Sequence, residues 1–237
     1  MFPFPYPGSH WQKNLRLIYQ LIKILKIPEK IFLKSIQNYQ GIKRRFEIVK
    51  HITWINTDFK RINTDNINKK YPQESVQNPH KSVGMNPRES ALDPRKSVVD
   101  IYLIDDYAHH PSEVLAYFKS LKKSYPGYQI YFLFQPHTFT RTHFLFHQFI
   151  KVFKEIKKDK KTNLIIFKTF PSAREKEIIL KIKKLKKDID LAKKVKALYF
   201  NQEKKLINFL QKNLKEKTII TTVGAGDLYK ILEKIKL

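Results

Sequence analysis

The chain has 237 residues, 42% of them apolar, enough to bury one sizeable core or one domain with a fragment of another. It has no cysteine, which excludes a disulfide framework and thiolate metal sites, and no apolar run nears the roughly 20 residues that span a bilayer. The formal charge of +26 raises nucleic acid as a partner, but the lysines argue for another use. Stretches such as Lys181-Ile182-Lys183-Lys184-Leu185-Lys186-Lys187 interleave Lys with Ile and Leu at roughly helical spacing and read as solvated helix faces. Met1 to Tyr6 lacks the basic region and apolar core of a secretory signal, so the expectation is a cytoplasmic protein with neither a membrane nor a nucleic acid as partner.

His10 to Leu25 carries apolar residues at helical spacing, and Pro28 opens a second helix to about Tyr39, which Gly41 stops. Arg45 to Val49 and Ile52 to Ile55 read as two short strands. Beyond Asn56 the composition shifts to Asn, Lys, Ser and Pro. Ile55-Asn56-Thr57-Asp58 recurs as Ile62-Asn63-Thr64-Asp65, and Pro72, Pro79, Pro87 and Pro94 each begin a Pro-x-x-Ser unit followed by Val or Ala. A proline in every unit forbids a coiled coil, at about 3 kcal/mol per helix-interior proline. Residues 57–97 are expected to be a disordered, duplicated insertion, with a binding linker as the functional alternative.

From Val98 the pattern is regular. Strands are expected at Val98 to Ile104, Gln129 to Phe134, Asn163 to Phe167, Ala197 to Phe200 and Thr218 to Val223. Helices are expected at Ser112 to Lys123, Arg141 to Ile156, through the Lys-rich stretch after Phe167, at Glu203 to Leu214 and at Asp227 to Ile235. This alternation predicts an α/β fold, a Rossmann-like open, mostly parallel sheet with helices on both faces. Ligands of such sheets sit beyond the carboxyl ends of the strands.

Three segments fall at those ends. Asp105-Asp106-Tyr107-Ala108-His109-His110-Pro111-Ser112-Glu113 puts two carboxylates and two imidazoles in six residues, a set able to bind a metal, activate water or orient a nucleotide. The same residues also suit an ordinary helix start with exposed histidines. In Gln135 to Thr142, helix-start N–H groups and the Arg141 guanidinium form a candidate carboxylate or phosphate site; the alternative is a helix capped by Thr140 with Arg141 exposed. Gly224-Ala225-Gly226-Asp227 has Tyr229 where a dinucleotide fingerprint needs a third glycine, and reads as a tight turn capped by Asp227. None of the six glycines precedes a lysine, so the chain has no Gly-x-x-x-x-Gly-Lys phosphate loop.

The Asp105 to Glu113 and Phe134 to Thr142 segments together resemble the carboxy-terminal domain of the Mur ligases, in the branch that adds L-alanine to UDP-N-acetylmuramate during peptidoglycan precursor synthesis. Gly41 to Glu47 resembles the junction into that domain, and Pro7 to Asn14 the end of the preceding central domain. The resemblance covers about residues 7–56 and 98–237. It implies a helical remnant of the central domain at 1–40 and the carboxy-terminal domain at 41–237. For the complete family it implies ATP and Mg2+, amide formation through an acyl phosphate, and closure of this domain over the site. Carried onto this sequence, it implies nucleotide contacts from Arg45, Asp106 and Asn14, and substrate contacts on the alanine side from His109, His137 and Arg141. Two positions depart from the family. Thr138 replaces an arginine, removing a positive charge, and Trp11 replaces an asparagine, removing a carboxamide. Without the phosphate loop the chain is expected to bind neither cofactor tightly alone and to need a separately encoded amino-terminal and central half. A non-catalytic relic and a basic binding module for nucleic acid or other anions are the alternatives.

Overall fold

In a computed structural model, residues 9–38, 42–56, 97–182 and 184–236 are described. Alternation of large apolar side chains sets the sheet at the centre. In β3 (Gln129–Phe134), Ile130, Phe132 and Phe134 enter one core while Tyr131 and Leu133 enter the other. The same two-sided burial holds in β2 (Ser97–Asp106), β4 (Thr162–Phe167) and β6 (Lys217–Val223). With β1 (Glu47–Asn56) and β5 (Leu198–Phe200) these strands form one sheet in the order β1-β2-β6-β3-β4-β5. Only β1 runs antiparallel to its neighbour.

Helices α3 (Pro111–Ser124), α5 (Phe146–Ile156) and α7 (Asp188–Val195) cover one face. There Phe134 meets Phe149 and Phe153 at ring-centroid distances of 5.2 and 5.0 Å. All three rings are almost wholly buried, each contributing about 1.5–3 kcal/mol. The other face is covered by α8 (Glu203–Lys212) through Leu206 and Leu210, and by α9 (Ile231–Lys234) with its flanking residues Leu228 and Ile235. Ahead of the sheet, α1 (Ser9–Ile24) and α2 (Glu29–Gln37) pack on each other through a third cluster, Leu15, Ile22, Phe32 and Ile36. The expected fold class, with a helical pair preceding the sheet, is the one observed. No described helix is long and apolar enough to cross a membrane.

Five local expectations need correction. The two short strands are one, β1, because a register irregularity between Ile48 and Lys50 interrupts the alternation without ending the pairing. The helix expected from Arg141 to Ile156 is two, α4 (Phe139–Phe144) and α5, broken at Leu145, so that α5 can lay its aromatic face on the sheet. The Lys-rich stretch is broken up: a 3-10 turn, Ala173–Glu175, and α6 (Lys176–Leu180) come before α7, and between α6 and α7 the described residues of 181–187, read from sequence as a helix face, lie in no helix; the last helix begins with a 3-10 turn, Leu228–Lys230. Ser97, assigned to the insertion, opens β2 opposite Asn56. Gly41 and the rest of the insertion, 57–96, lie outside the described residues.

Candidate functional site

The carboxyl ends of β2, β6 and β3 lie side by side, which brings the loops after Asp106, Val223 and Phe134 to one edge of the sheet. Arg44 ties this edge together. Its Nε donates to Asp105 Oδ2 at 2.9 Å and its Nη2 to the Gly224 carbonyl at 2.7 Å. The guanidinium lies 4.3 Å from the Tyr229 ring centre and 4.9 Å from that of Tyr107. Its carbonyl accepts the Tyr107 N–H at 2.7 Å. Arg44 sits at φ 62 and Phe46 at φ 50, so the chain makes two left-handed residues to deliver these bonds.

Neither aspartate offers a free oxygen. Asp105 Oδ1 accepts from Thr222 Oγ1 at 2.6 Å, and its Oδ2 from Arg44. Asp106 accepts the Phe46 and Ala108 N–H groups, one on each oxygen, both at 2.8 Å. Burial pushes the Asp105 carboxyl up despite Thr222 and Arg44, and pushes Asp106 up to about 6 despite its two backbone donors and the Arg45 charge. These oxygens do not fit a magnesium site, and among the described residues no group of three or more His, Asp or Glu could hold a metal ion. Arg45, by contrast, is half-exposed 5.5 Å from the Tyr107 ring centre and makes no ion pair among the described residues.

Pro111 starts α3 at the position where a missing N–H costs nothing, and Glu113 folds back to accept the His109 and His110 N–H groups at 3.1 and 3.2 Å. Burial alone would raise the Glu113 carboxyl, yet those two bonds pull it below its ordinary value. His109 Nδ1 lies 3.0 Å from the Tyr107 carbonyl, which can only accept, so Nδ1 carries a proton, and in a neutral ring Nε2 would be the acceptor. His110 is exposed and pairs with Ser112.

In the β3 loop, Thr138 rather than Thr140 caps α4. It sits at φ 70, and its Oγ1 accepts from Arg141 N at 3.3 Å. Thr140 instead gives both its N–H and its hydroxyl to Glu175 Oε1, at 2.8 and 2.7 Å, and Ser172 N binds Oε2 at 3.1 Å. Burial works to raise Glu175, and these donors outweigh it and hold the group ionised. The helix start expected to attract an external anion is thus occupied by the protein's own carboxylate. What remains of that expectation is Arg141. Its Nη1 lies 3.3 Å from His137 Nδ1, which must then accept, placing the His137 proton on Nε2. The His137 ring stacks on Phe170 and faces His109 at 6.4 Å between centroids. Burial, then Arg141 and His109, lower its pKa, favouring the neutral ring.

Gln135 joins the β3 and β6 loops. Its Oε1 accepts the Leu228 N–H at 2.8 Å and its Nε2 donates to Asp227 at 3.1 Å. Gln135, not Asp227, therefore serves the first turn after β6. A Cβ on Gly224 or Gly226 would overlap Gln135, so the glycines permit this close packing.

Of the six sequence-predicted residues, the structure brings Arg45, Asp106, His109, His137 and Arg141 to this edge. Asn14 lies exposed on α1, with no hydrogen bond or ring contact to the other five among the described residues. Sequence reasoning missed Arg44, Thr222, Gln135 and Glu175 as site builders. The first three stand in or beside segments already singled out, whereas nothing marked Glu175 within its Lys-rich surroundings.

The family model for the Mur ligase glutamate ligase domain matches residues 94–226, and the chain belongs to that family. Within it, this chain is a carboxy-terminal domain similar to that of the alanine-adding ligases. It is 39% identical over 143 residues to the UDP-N-acetylmuramate–L-alanine ligase of Acetivibrio thermocellus and 37% over 134 residues to that of Clostridium botulinum. Each match covers 56% of this chain and only 27% and 28% of those proteins, so the chain spans little over a quarter of their length. Among solved structures, the UDP-N-acetylmuramate–alanine ligase of Thermotoga maritima shares the fold with a TM-score of 0.59 at 19% identity, over 98% of this chain and 38% of that one. A D-alanyl-D-alanyl-adding ligase of Acinetobacter baumannii does so at 0.55 and 12%, over 98% and 36%.

Proposed function

We propose that this chain is the carboxy-terminal lid of a UDP-N-acetylmuramate:L-alanine ligase, acting in the cytoplasm with a partner polypeptide that holds ATP. The observation that carries the reading is the His137–Arg141 pair facing His109, at an edge where the surrounding polar groups are bonded internally. Arg141 binds the alanine carboxylate, which a guanidinium matches in shape and charge. His137 Nε2 donates beside it, and His109 Nε2 accepts a proton from the alanine ammonium, leaving a nucleophilic amine. Arg45 reaches the nucleotide phosphates, and Asp106 acts on the nucleotide through the loop it holds behind Arg45. Asn14 offers a carboxamide from α1, the tail of the central domain, which takes in residues 1–40. Bound ATP supplies the phosphoryl group that activates the muramoyl carboxylate. This chain positions the amine for attack and excludes water as the lid closes.

The test is an ATP-dependent ligation assay with L-alanine and UDP-N-acetylmuramate, using the chain alone and mixed with the amino-terminal and central portions of the Acetivibrio thermocellus ligase. No turnover is expected alone. The mixture should release ADP and form product, and Arg141→Ala should abolish it with loss of alanine binding. Ligation by the chain alone would overturn the need for a partner. An inactive mixture that binds neither ATP nor alanine would make the chain a relic.

A further inference from the structure

The first helix is apolar around most of its circumference but uses only part of it. At about 100° per residue, Leu15, Tyr19 and Ile22 form the stripe that packs on α2. The adjoining arc holds Leu17, Ile18, Leu21 and Ile24, which are 71, 46, 52 and 76% exposed. Leu25, Ile27 and Ile31 extend it across the turn into α2. Among residues 14–24, Arg16, Gln20 and Lys23 form the polar side, and exposed Asn14 falls within the apolar arc beside Leu17, Ile18 and Leu21. Seven of the fourteen large apolar side chains exposed among the described residues fall between Leu17 and Ile31, so this is a patch rather than scatter. A helix apolar over so wide an arc is patterned to be covered on two sides.

The length of the relatives indicates what covers it. The Thermotoga maritima ligase matches 98% of this chain with 38% of its own length, so α1 and α2 have counterparts within a much larger fold. A second copy of this chain is disfavoured by charge. The helical pair and its turn expose Arg16, Lys23, Lys26, Lys30 and Lys34 against Glu29, and two such strongly basic surfaces repel.

We infer that the exposed apolar face centred on Leu17, Leu21 and Ile24 is the surface on which the folded remainder of a Mur ligase docks. This rests on the proposed reading of the chain as one part of such a ligase, and it locates the joint on the helical pair rather than on the sheet.

The probe is the Thermotoga maritima ligase lacking the 38% of its length matched here, which takes in the counterparts of α1 and α2, titrated with wild-type chain, with Leu17→Glu/Leu21→Glu/Ile24→Glu, and with the corresponding triple serine variant. Circular dichroism melts check that both variants fold, as expected for side chains already facing water. Wild type should bind, both variants at least tenfold more weakly, and Arg141→Ala as wild type does. Equal binding by a folded variant overturns the inference. Ligation by the mixture that ignores the variants removes the docking surface and leaves the ligase reading standing. A face-dependent complex that never ligates supports the surface and removes the ligase reading. No binding by any form, or a wild-type dimer that the variants dissociate, overturns the inference, the latter in favour of a second copy.

Discussion

At the carboxyl edge of the sheet, the loop after β2 uses up its carboxylates internally, whereas the loop after β3 leaves its cation available. Asp105, Asp106 and Glu113 accept between them from Arg44, Thr222 and four backbone N–H groups. In the β3 loop the backbone is equally well tied, through Glu175, Thr138 and Phe170, yet the His137 and Arg141 side chains are hydrogen-bonded only to one another among the described residues. Side chains bonded within the protein build a frame, and those left over are free to meet a ligand. The adjacent arginines repeat the contrast, with Arg44 bonded to two strand ends and Arg45 making no side-chain hydrogen bond or ion pair among the described residues.

The largest effect expected to expose this difference is on stability. Arg44→Ala leaves the buried Asp105 carboxylate without its cation and should cost about 3–5 kcal/mol in urea unfolding. Arg45→Ala should stay within about 0.5 kcal/mol. Equal costs would erase the distinction between the two.

A pH titration of stability sharpens it next. Asp106 has its pKa pushed up from 3.8 to about 6, so the folded protein holds this proton more tightly than the unfolded chain. The stability it contributes is complete below about pH 4 and lost as pH rises through about 6, by up to about 3 kcal/mol. Wild type should therefore fall relative to Asp106→Asn across that interval. A constant difference between the two unfolding curves would contradict the burial argument.

In the open loop, Arg141→Ala should change unfolding free energy by less than about 1 kcal/mol, because its ion-free partner His137 keeps its stack on Phe170. Alanine binding to the assembled mixture, read by calorimetry, should be lost. A large stability loss would mean that the β3 loop, too, is frame. The smallest effect belongs to the far end of the sheet. Since Asn56 pairs with Ser97, residues 57–96 can be replaced by Asn-Gly in a two-residue turn, with unfolding changed by less than about 0.5 kcal/mol. Loss of a cooperative melt would show that the insertion supports the fold.

Much of the fold was legible in advance because short continuous apolar runs such as Ile130 to Phe134, which mark strands buried on both faces, are a local property written directly in the order of side chains. The misread boundaries share one cause: the break at Leu145 and the irregularity between Ile48 and Lys50 are set by packing against the sheet and by strand register. The site divides in the same way. The clustering of Asp106, His109, His137 and Arg141 followed from their places at strand ends, since a parallel sheet gathers those ends at one edge.

By itself, the sequence determined the family and the α/β order, and it also excluded a phosphate loop, because motifs and periodicity are carried by residues near one another in the chain. Only the tertiary structure decided that Arg44 is frame and Arg45 is not, that Glu175 already fills the α4 start, and that one apolar arc of α1 stands open. Those facts depend on residues tens to nearly two hundred positions apart, and no local pattern records which of two neighbouring side chains a distant partner has taken.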